Sequence, residues 1–310
     1  MLGRAQRSLS RRGGGPPADR LPAAPDPGTG GPASYRPLQR VVLTAGVLRT
    51  MFDEYEIHRA GDRGEEETGW VLLGWRGEDE ALVRATLPAG AGREAGEAHV
   101  RFNSVAQALA SRIVRQADRR LVMLGVVHTH PGSLRHPSDG DYRGDIQWVG
   151  QLRGGEGVFG IGTGDGKYAR PEGGEWQPRP NVACRDELTF TWYSLREDAR
   201  NYHAIPVEIT DGHDLAAPLH SAWDVLEDHA VRLERLARQQ SRLTFEVMGS
   251  GLAVMLPLAD GPVLRATLTK DGVRYFLVRD GEPLAADLRE PRVDRGIYQL
   301  LAELSGEGST

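Results

Sequence analysis

Cysteine is nearly missing from this chain: Cys184 is the only one in 310 residues. That excludes a disulfide framework and any cysteine-rich zinc finger, and it makes the cytoplasm the expected compartment. No apolar run approaches the roughly 18 residues of a membrane span, and no apolar stretch follows the N-terminal arginines as it would in a secretory signal. An excess of positive charge is absent too. The formal net charge is −5, which argues against a generic nucleic-acid binder. Neither nucleic acid nor a membrane is an expected partner.

The charge that is present is unevenly spread, with seven arginines against two aspartates in the first 40 residues. Residues 1–38 are so rich in Gly, Pro and Ala that they cannot bury a core, and a disordered tail is expected there. Their arginines superficially suit a transit peptide, but the repeated Pro and Gly would break its amphipathic helix. Beyond the tail the length is enough for two ordinary domains. The expected division is residues 39–180 and residues 181–310.

In the first domain, residues 40–44 read as a strand and residues 45–60 have helical spacing. Strands are expected at 67–75, 81–87, 121–127 and 157–163, helices at 104–118 and 139–152, and a Gly- and Ala-rich loop at 88–98. Strands and helices alternate, so the fold class is α/β or α+β: a mixed sheet flanked by helices. The second domain reads as a long amphipathic helix over 216–240, a four-stranded antiparallel meander over 243–278 and a closing helix over 293–304. Asp271-Gly272 separates the last two strands by the two residues that a type I′ hairpin uses. Substrate or partner binding is the expected role of this α+β unit. Trp192, Tyr193 and the stripe around Trp223 are read as core rather than as a binding platform.

Chemistry concentrates where one apolar strand ends. His128-Thr129-His130-Pro131 follows the run Leu121–Val127, and side chains two apart on a strand share a face. The two imidazoles therefore form a clamp, neutral imidazoles suit zinc, and a catalytic zinc takes three protein ligands and leaves a fourth position open. Asp141 is the natural third ligand. His136, Asp139 and Asp145 are rivals, read instead as a loop residue and as helix-start or surface acids. Ser138, three residues before Asp141, also has a structural reading as the cap of a helix in a capping box. A zinc deaminase would need His-x-Glu and a Cys-x-x-Cys, which one cysteine rules out. Two glycine-rich matches, at 155–160 and at Gly166-Lys167, lack the helix or the neighbouring residues that phosphate binding requires and are read as turns.

His128-x-His130-Pro131, six residues, Ser138, two residues, Asp141 resembles the JAMM motif of the JAB/MPN zinc metalloproteases, including their bacterial deubiquitinase-like members. That family also carries a glutamate just before a Gly and an aliphatic run, and Glu67-Thr68-Gly69-Trp70-Val71-Leu72-Leu73-Gly74 matches this context. The resemblance covers about residues 40–180 by this reading of the elements. It implies one Zn2+ per chain held by His128, His130 and Asp141, with the metal polarising the scissile carbonyl and activating water. Glu67 would be the general base turned acid. Ser138 would donate a hydrogen bond to the developing oxyanion. Glu65 and Glu66 compete for the base role but precede the strand pattern.

Members of this family with a complete site cleave isopeptide or peptide bonds after the C-terminus of ubiquitin or a ubiquitin-like protein. The implied partners are therefore a ubiquitin-like protein or its conjugate, together with ubiquitin-like activating or conjugating enzymes. A substrate tail could thread past the zinc as an added strand. Two alternatives remain at this stage: a non-catalytic MPN scaffold subunit, and a zinc peptidase acting on unrelated peptides.

Overall fold

The computed structural model describes residues 34–90, 94–96, 99–101, 104–259 and 261–307. Most of the tail expected at residues 1–38 lies outside them. The end of that segment is described and is held in place, because Leu38 is buried and its N–H donates to Glu156 Oε2 at 2.8 Å.

β1 (Arg40–Thr44) leads directly into α1 (Ala45–Ala60), as the switch in apolar period predicts. Thr44 caps that helix, its Oγ1 accepting from the Val47 N–H at 3.4 Å. β2 (Gly69–Arg76) and β3 (Glu80–Pro88) follow, and then a small hairpin of β4 (Glu94–Gly96) and β5 (His99–Arg101) where a loop is expected. Next come α2 (Ser104–Val114), β6 (Val122–Thr129), α3 (Asp139–Asp145), a 3-10 turn at Val149–Gln151 and β7 (Glu156–Thr163). The helix expected over 139–152 thus stops after two turns. Gly140, Gly144 and Gly150 punctuate it, each costing about 1 kcal/mol of helix stability relative to Ala.

β8 (Glu175–Arg179), β9 (Val182–Arg185), β10 (Leu188–Arg196), β11 (His203–Ala204) and β12 (Val207–Thr210) go beyond the sequence expectations. With β1–β3, β6 and β7 they form one ten-stranded mixed sheet, ordered β12-β1-β3-β2-β6-β7-β10-β9-β8, with β11 pairing to β10. The sheet therefore continues well past Pro180, where the sequence reading divides the chain. β6 runs parallel to β7, and β1 parallel to both β3 and β12.

The remainder is α4 (Ala217–Ser221), α5 (Trp223–Gln239), the meander β13 (Thr244–Met248), β14 (Gly251–Pro257), β15 (Val263–Thr269), β16 (Gly272–Arg279) and β17 (Glu282–Ala285), and finally α6 (Val293–Glu307). The expected fold class holds: a mixed sheet flanked by helices, then an antiparallel meander with helices. Two details differ. The long helix is interrupted at Ala222, and the meander has a fifth strand, whose four residues are all exposed and include Pro283. An exposed strand of this kind carries no apolar alternation to read.

The large sheet is covered on both faces. Phe52, Met51 and Tyr55 of α1 pack against Trp70, Leu72, Val127, Phe190 and Trp192 on one side. On the other, Val71, Leu73, Val126 and Phe159 share a core with Leu109 and Ile113 of α2, Leu226 and Leu233 of α5, and Tyr275 of the meander. The two halves of the chain thus meet in one apolar core, sealed at its edge by Arg112 Nη2 on Glu234 Oε1 at 3.1 Å and by Gln116 bonding both backbone groups of Phe245. Among the described residues no helix is long and apolar enough to cross a membrane.

Candidate metal centre

β6 is a central strand, and a β-bulge decides which way its end faces. Opposite β2 the register jumps from Leu72 with Gly125 to Leu73 with Met123, which leaves Leu124 unpaired. An extra residue in one strand flips the inside-outside alternation beyond it. Leu124 and Val127 accordingly share the α1 face, while Val126 joins the opposite core. His128 and His130 follow Val126 on that opposite face. Gly125 makes the bulge possible: its φ is 153°, and a Cβ there would sit 1.8 Å from Val158 O.

Backbone pairing on both sides then fixes the motif. Thr129 N donates to Thr68 O at 2.8 Å and Thr129 Oγ1 accepts from Thr68 N at 3.0 Å. His130 N donates to Gly162 O at 2.8 Å. The imidazole face is thereby held between β2 and β7, and His128 and His130 are both buried. After Pro131 the chain loops back, and the start of α3 brings Asp141 to the same place. Ser138 caps α3 in the expected capping box: its Oγ accepts from Asp141 N at 3.2 Å, and its own N–H donates to Asp141 Oδ2 at 2.6 Å. The cap therefore orients the Asp141 carboxylate, and the Ser138 hydroxyl proton is still available to donate.

The three side chains converge. His128 Nε2 lies 3.0 Å from His130 Nε2 and 3.2 Å from Asp141 Oδ1, and His130 Nε2 lies 3.4 Å from Asp141 Oδ2. For zinc bonds of about 2.0 to 2.2 Å, the edge of a tetrahedron is about 3.3 to 3.6 Å. The observed spacings are near that edge or slightly below it, with the two carboxylate distances running to different oxygens, and two imidazole nitrogens with a carboxylate form a donor set suited to zinc. The residues present fit the ion. His130 Nδ1 faces Leu134 O at 2.8 Å, the type of outer contact that fixes which ring nitrogen stays free for a metal.

Electrostatics agree with the geometry. Burial alone would raise the Asp141 pKa, but hydrogen bonds from His128 and His130 outweigh it and hold the carboxyl far below the usual range. Burial pulls the His130 pKa down, yet Asp141, the Leu134 carbonyl and the Glu67 carboxylate together leave it raised. Each group thus favours the charge state of its partner. A cation in their midst would satisfy the same field.

Glu67 is buried, whereas Glu65 is exposed and Glu66 half-buried with its carboxylate on Arg63. Gly69 pairs with His128, so Glu67, two residues earlier, shares the imidazole face, and its charge reaches His130. Asp139 is exposed and His136 is an exposed loop residue. Asp145 differs from the expectation of a surface acid: it accepts from Tyr202 Oη at 2.8 Å, and burial pushes its pKa up to about 6. Its sequence context carried no sign of this, because Tyr202 is 57 positions away. Trp192 and Trp223 are buried as expected, but Tyr193 is only half-buried.

No curated protein matches the chain. Among solved structures, it is similar to protein DSY2949 from Desulfitobacterium hafniense at 18% identity and a TM-score of 0.37, covering 56% of this chain and 94% of that one. Residues 54–177 match the family model described as prokaryotic homologs of the JAB domain, a span that holds Glu67, His128, His130, Ser138 and Asp141. Together with the convergent His-His-Asp cluster, that match identifies residues 54–177 as a prokaryotic JAB-type domain whose side chains are consistent with a JAMM-type metal site.

Proposed function

We propose that this protein is a zinc-dependent isopeptidase or peptidase that hydrolyses the bond after the C-terminus of a ubiquitin-like protein. The observation that carries the reading is the convergence of the His128, His130 and Asp141 donor atoms beside a buried Glu67 on the same sheet face. Zinc, when bound, supplies Lewis acidity to water and to the scissile carbonyl. Glu67 takes the proton of the attacking water and returns it to the departing amine. Ser138 donates its hydroxyl to the oxygen on which negative charge develops. His128, His130 and Asp141 hold the ion, with Leu134 O and the Ser138 N–H keeping two of them in place. A non-catalytic scaffold would have no use for this complete set.

The substrate class rests on the family resemblance. In this reading the partners are a cytoplasmic ubiquitin-like protein or its conjugate, and the enzymes that activate or conjugate it. The test is zinc analysis of the purified chain, followed by cleavage of a ubiquitin-like protein bearing a C-terminal extension or an isopeptide-linked lysine. Glu67→Gln is expected to retain zinc and to lose about 10²- to 10⁴-fold in turnover. Absence of zinc, or turnover indifferent to Glu67, would remove the mechanism. Cleavage of generic peptides but of no ubiquitin-like fusion would remove only the substrate class.

A further inference from the structure

The loop that closes the metal cluster also walls an open groove of about 270 Å³. Residues 133–136 form one side, and Lys167, Arg179, Thr191 and Tyr193 lie on the other. The loop is tied to both features at once: Leu134 O meets His130 Nδ1 at 2.8 Å, and Arg135 O accepts from Tyr193 Oη at 2.9 Å. Strand register gives the spatial relation. His128 pairs with Ile161 and Ile161 with Thr191, so these three residues form one row across β6, β7 and β10. Residues in such a row share a face. Two strand spacings, about 9.6 Å, separate its ends.

Two observations indicate what the groove would hold. Thr191 is 5% exposed and lines the groove, and its Oγ1 is buried with no hydrogen-bond partner among the described residues. Native proteins rarely leave a buried hydroxyl in that condition, so a ligand that supplies a partner is favoured. The second observation is charge. Lys167 and Arg179 are exposed, and neither has an ion-pair partner among the described residues, while no acid lines the groove. Arg135 is balanced by its ion pair with Asp165, yet its Nε is also buried without a partner. Two positive charges are left uncompensated beside unfilled hydrogen-bonding groups.

We propose that this groove is a subsite for a carboxylate-bearing part of the substrate, seated about three residues along an extended peptide from the bond presented at the metal cluster. The proposal rests on the hydrolytic reading above and adds a charge specificity to it. Lys167 and Arg179 attract the carboxylate, and Thr191 Oγ1 donates a hydrogen bond at the base of the groove. An acidic side chain and a free C-terminus offer the same chemistry.

Three probes separate the outcomes: acetyl-Gly-Gly-Glu-amide, acetyl-Gly-Gly-Gln-amide and acetyl-Gly-Gly-Gln as the free acid, each titrated into the full chain with and without zinc. One or both acid-bearing peptides are expected to bind about fivefold tighter than the neutral one at low salt, with the gap narrowing as salt is raised. A gap for the glutamate peptide assigns a side-chain carboxylate, and a gap for the free acid assigns a terminal one. The exposed double variant Lys167→Met, Arg179→Met should keep the neutral peptide's affinity and lose the gap, and Thr191→Val should weaken the acid-bearing peptides alone. Equal binding of all three, no detectable binding, or a gap that survives in the double variant overturns the proposal. Charge-selective binding without cleavage of any ubiquitin-like fusion removes the hydrolytic reading and leaves the subsite. Cleavage with no charge preference does the reverse.

Discussion

Gly69→Ala is the substitution whose consequence for the metal centre follows most directly from the packing. Gly69 sits opposite His128 in the β2–β6 ladder. A Cβ there would lie 2.4 Å from Val127 O, 3.1 Å from His128 Cα and 3.2 Å from His128 Cβ. Backbone cannot rotate out of the way as a side-chain tip can. Restoring a tolerable contact to Val127 O would part the two strands by about 0.6 to 1 Å, since C···O contacts below about 3.0 to 3.4 Å are repulsive. Overpacking on this scale costs about 1 to 3 kcal/mol of stability, and a misplacement near 1 Å at a catalytic constellation costs about 100-fold in rate. The expected result is an unfolding free energy, from urea titration, lowered by that amount, together with weaker zinc binding in a chelator competition, because His128 moves and Asp141 does not. Gly144→Ala is the control: it lies on α3 with nothing within 4 Å of the added Cβ, so it should stabilise slightly and leave zinc affinity alone. If Gly69→Ala retained both stability within 0.5 kcal/mol and wild-type zinc affinity, the argument that close β2–β6 contact positions the clamp would be refuted.

Three further outcomes are expected. Asp141→Ala should abolish zinc binding while the far-UV and near-UV circular dichroism keep their folded signatures, because Asp141 is a half-buried residue on a short helix rather than a core residue; global unfolding would mark a structural site instead. Zinc affinity should be level above the raised His130 pKa and fall by up to about tenfold per pH unit below it, since the metal requires the neutral imidazole and protons displace it there. The Asp141 carboxyl, held ionised, does not contribute to that fall, so a dissociation constant flat from pH 8 to 5.5 would contradict the account. Glu156→Gln should lower unfolding stability by about 3 kcal/mol in a urea titration, because it leaves the fully buried Arg76 without the partner at 3.4 Å that balances its charge; a loss below 1 kcal/mol would mean that the carbonyls around Arg76 suffice alone.

Sequence by itself marked the candidate site. The cluster residues His128, His130 and Asp141 lie within fourteen residues, and local spacing shows Ser138 as a helix cap, while its role as hydroxyl donor comes from the family resemblance. β1, α1 and the apolar strand before the histidines were legible for the same reason: each carries its own periodicity. Tertiary structure decided what depends on distant partners. β8, β9 and β12 are short edge or outer strands whose identity comes from pairing rather than pattern, so the sheet runs on to Thr210. The burial of Asp145 against Tyr202 and the groove between residues 133–136 and β10 join segments more than 50 positions apart. The clearest case is the bulge at Leu124 and Gly125, which turns the two histidines away from the α1 face. Alternation along β6 shows that His128 and His130 share a face; only the register against β2 shows which face that is, because one unpaired residue reverses every side chain beyond it.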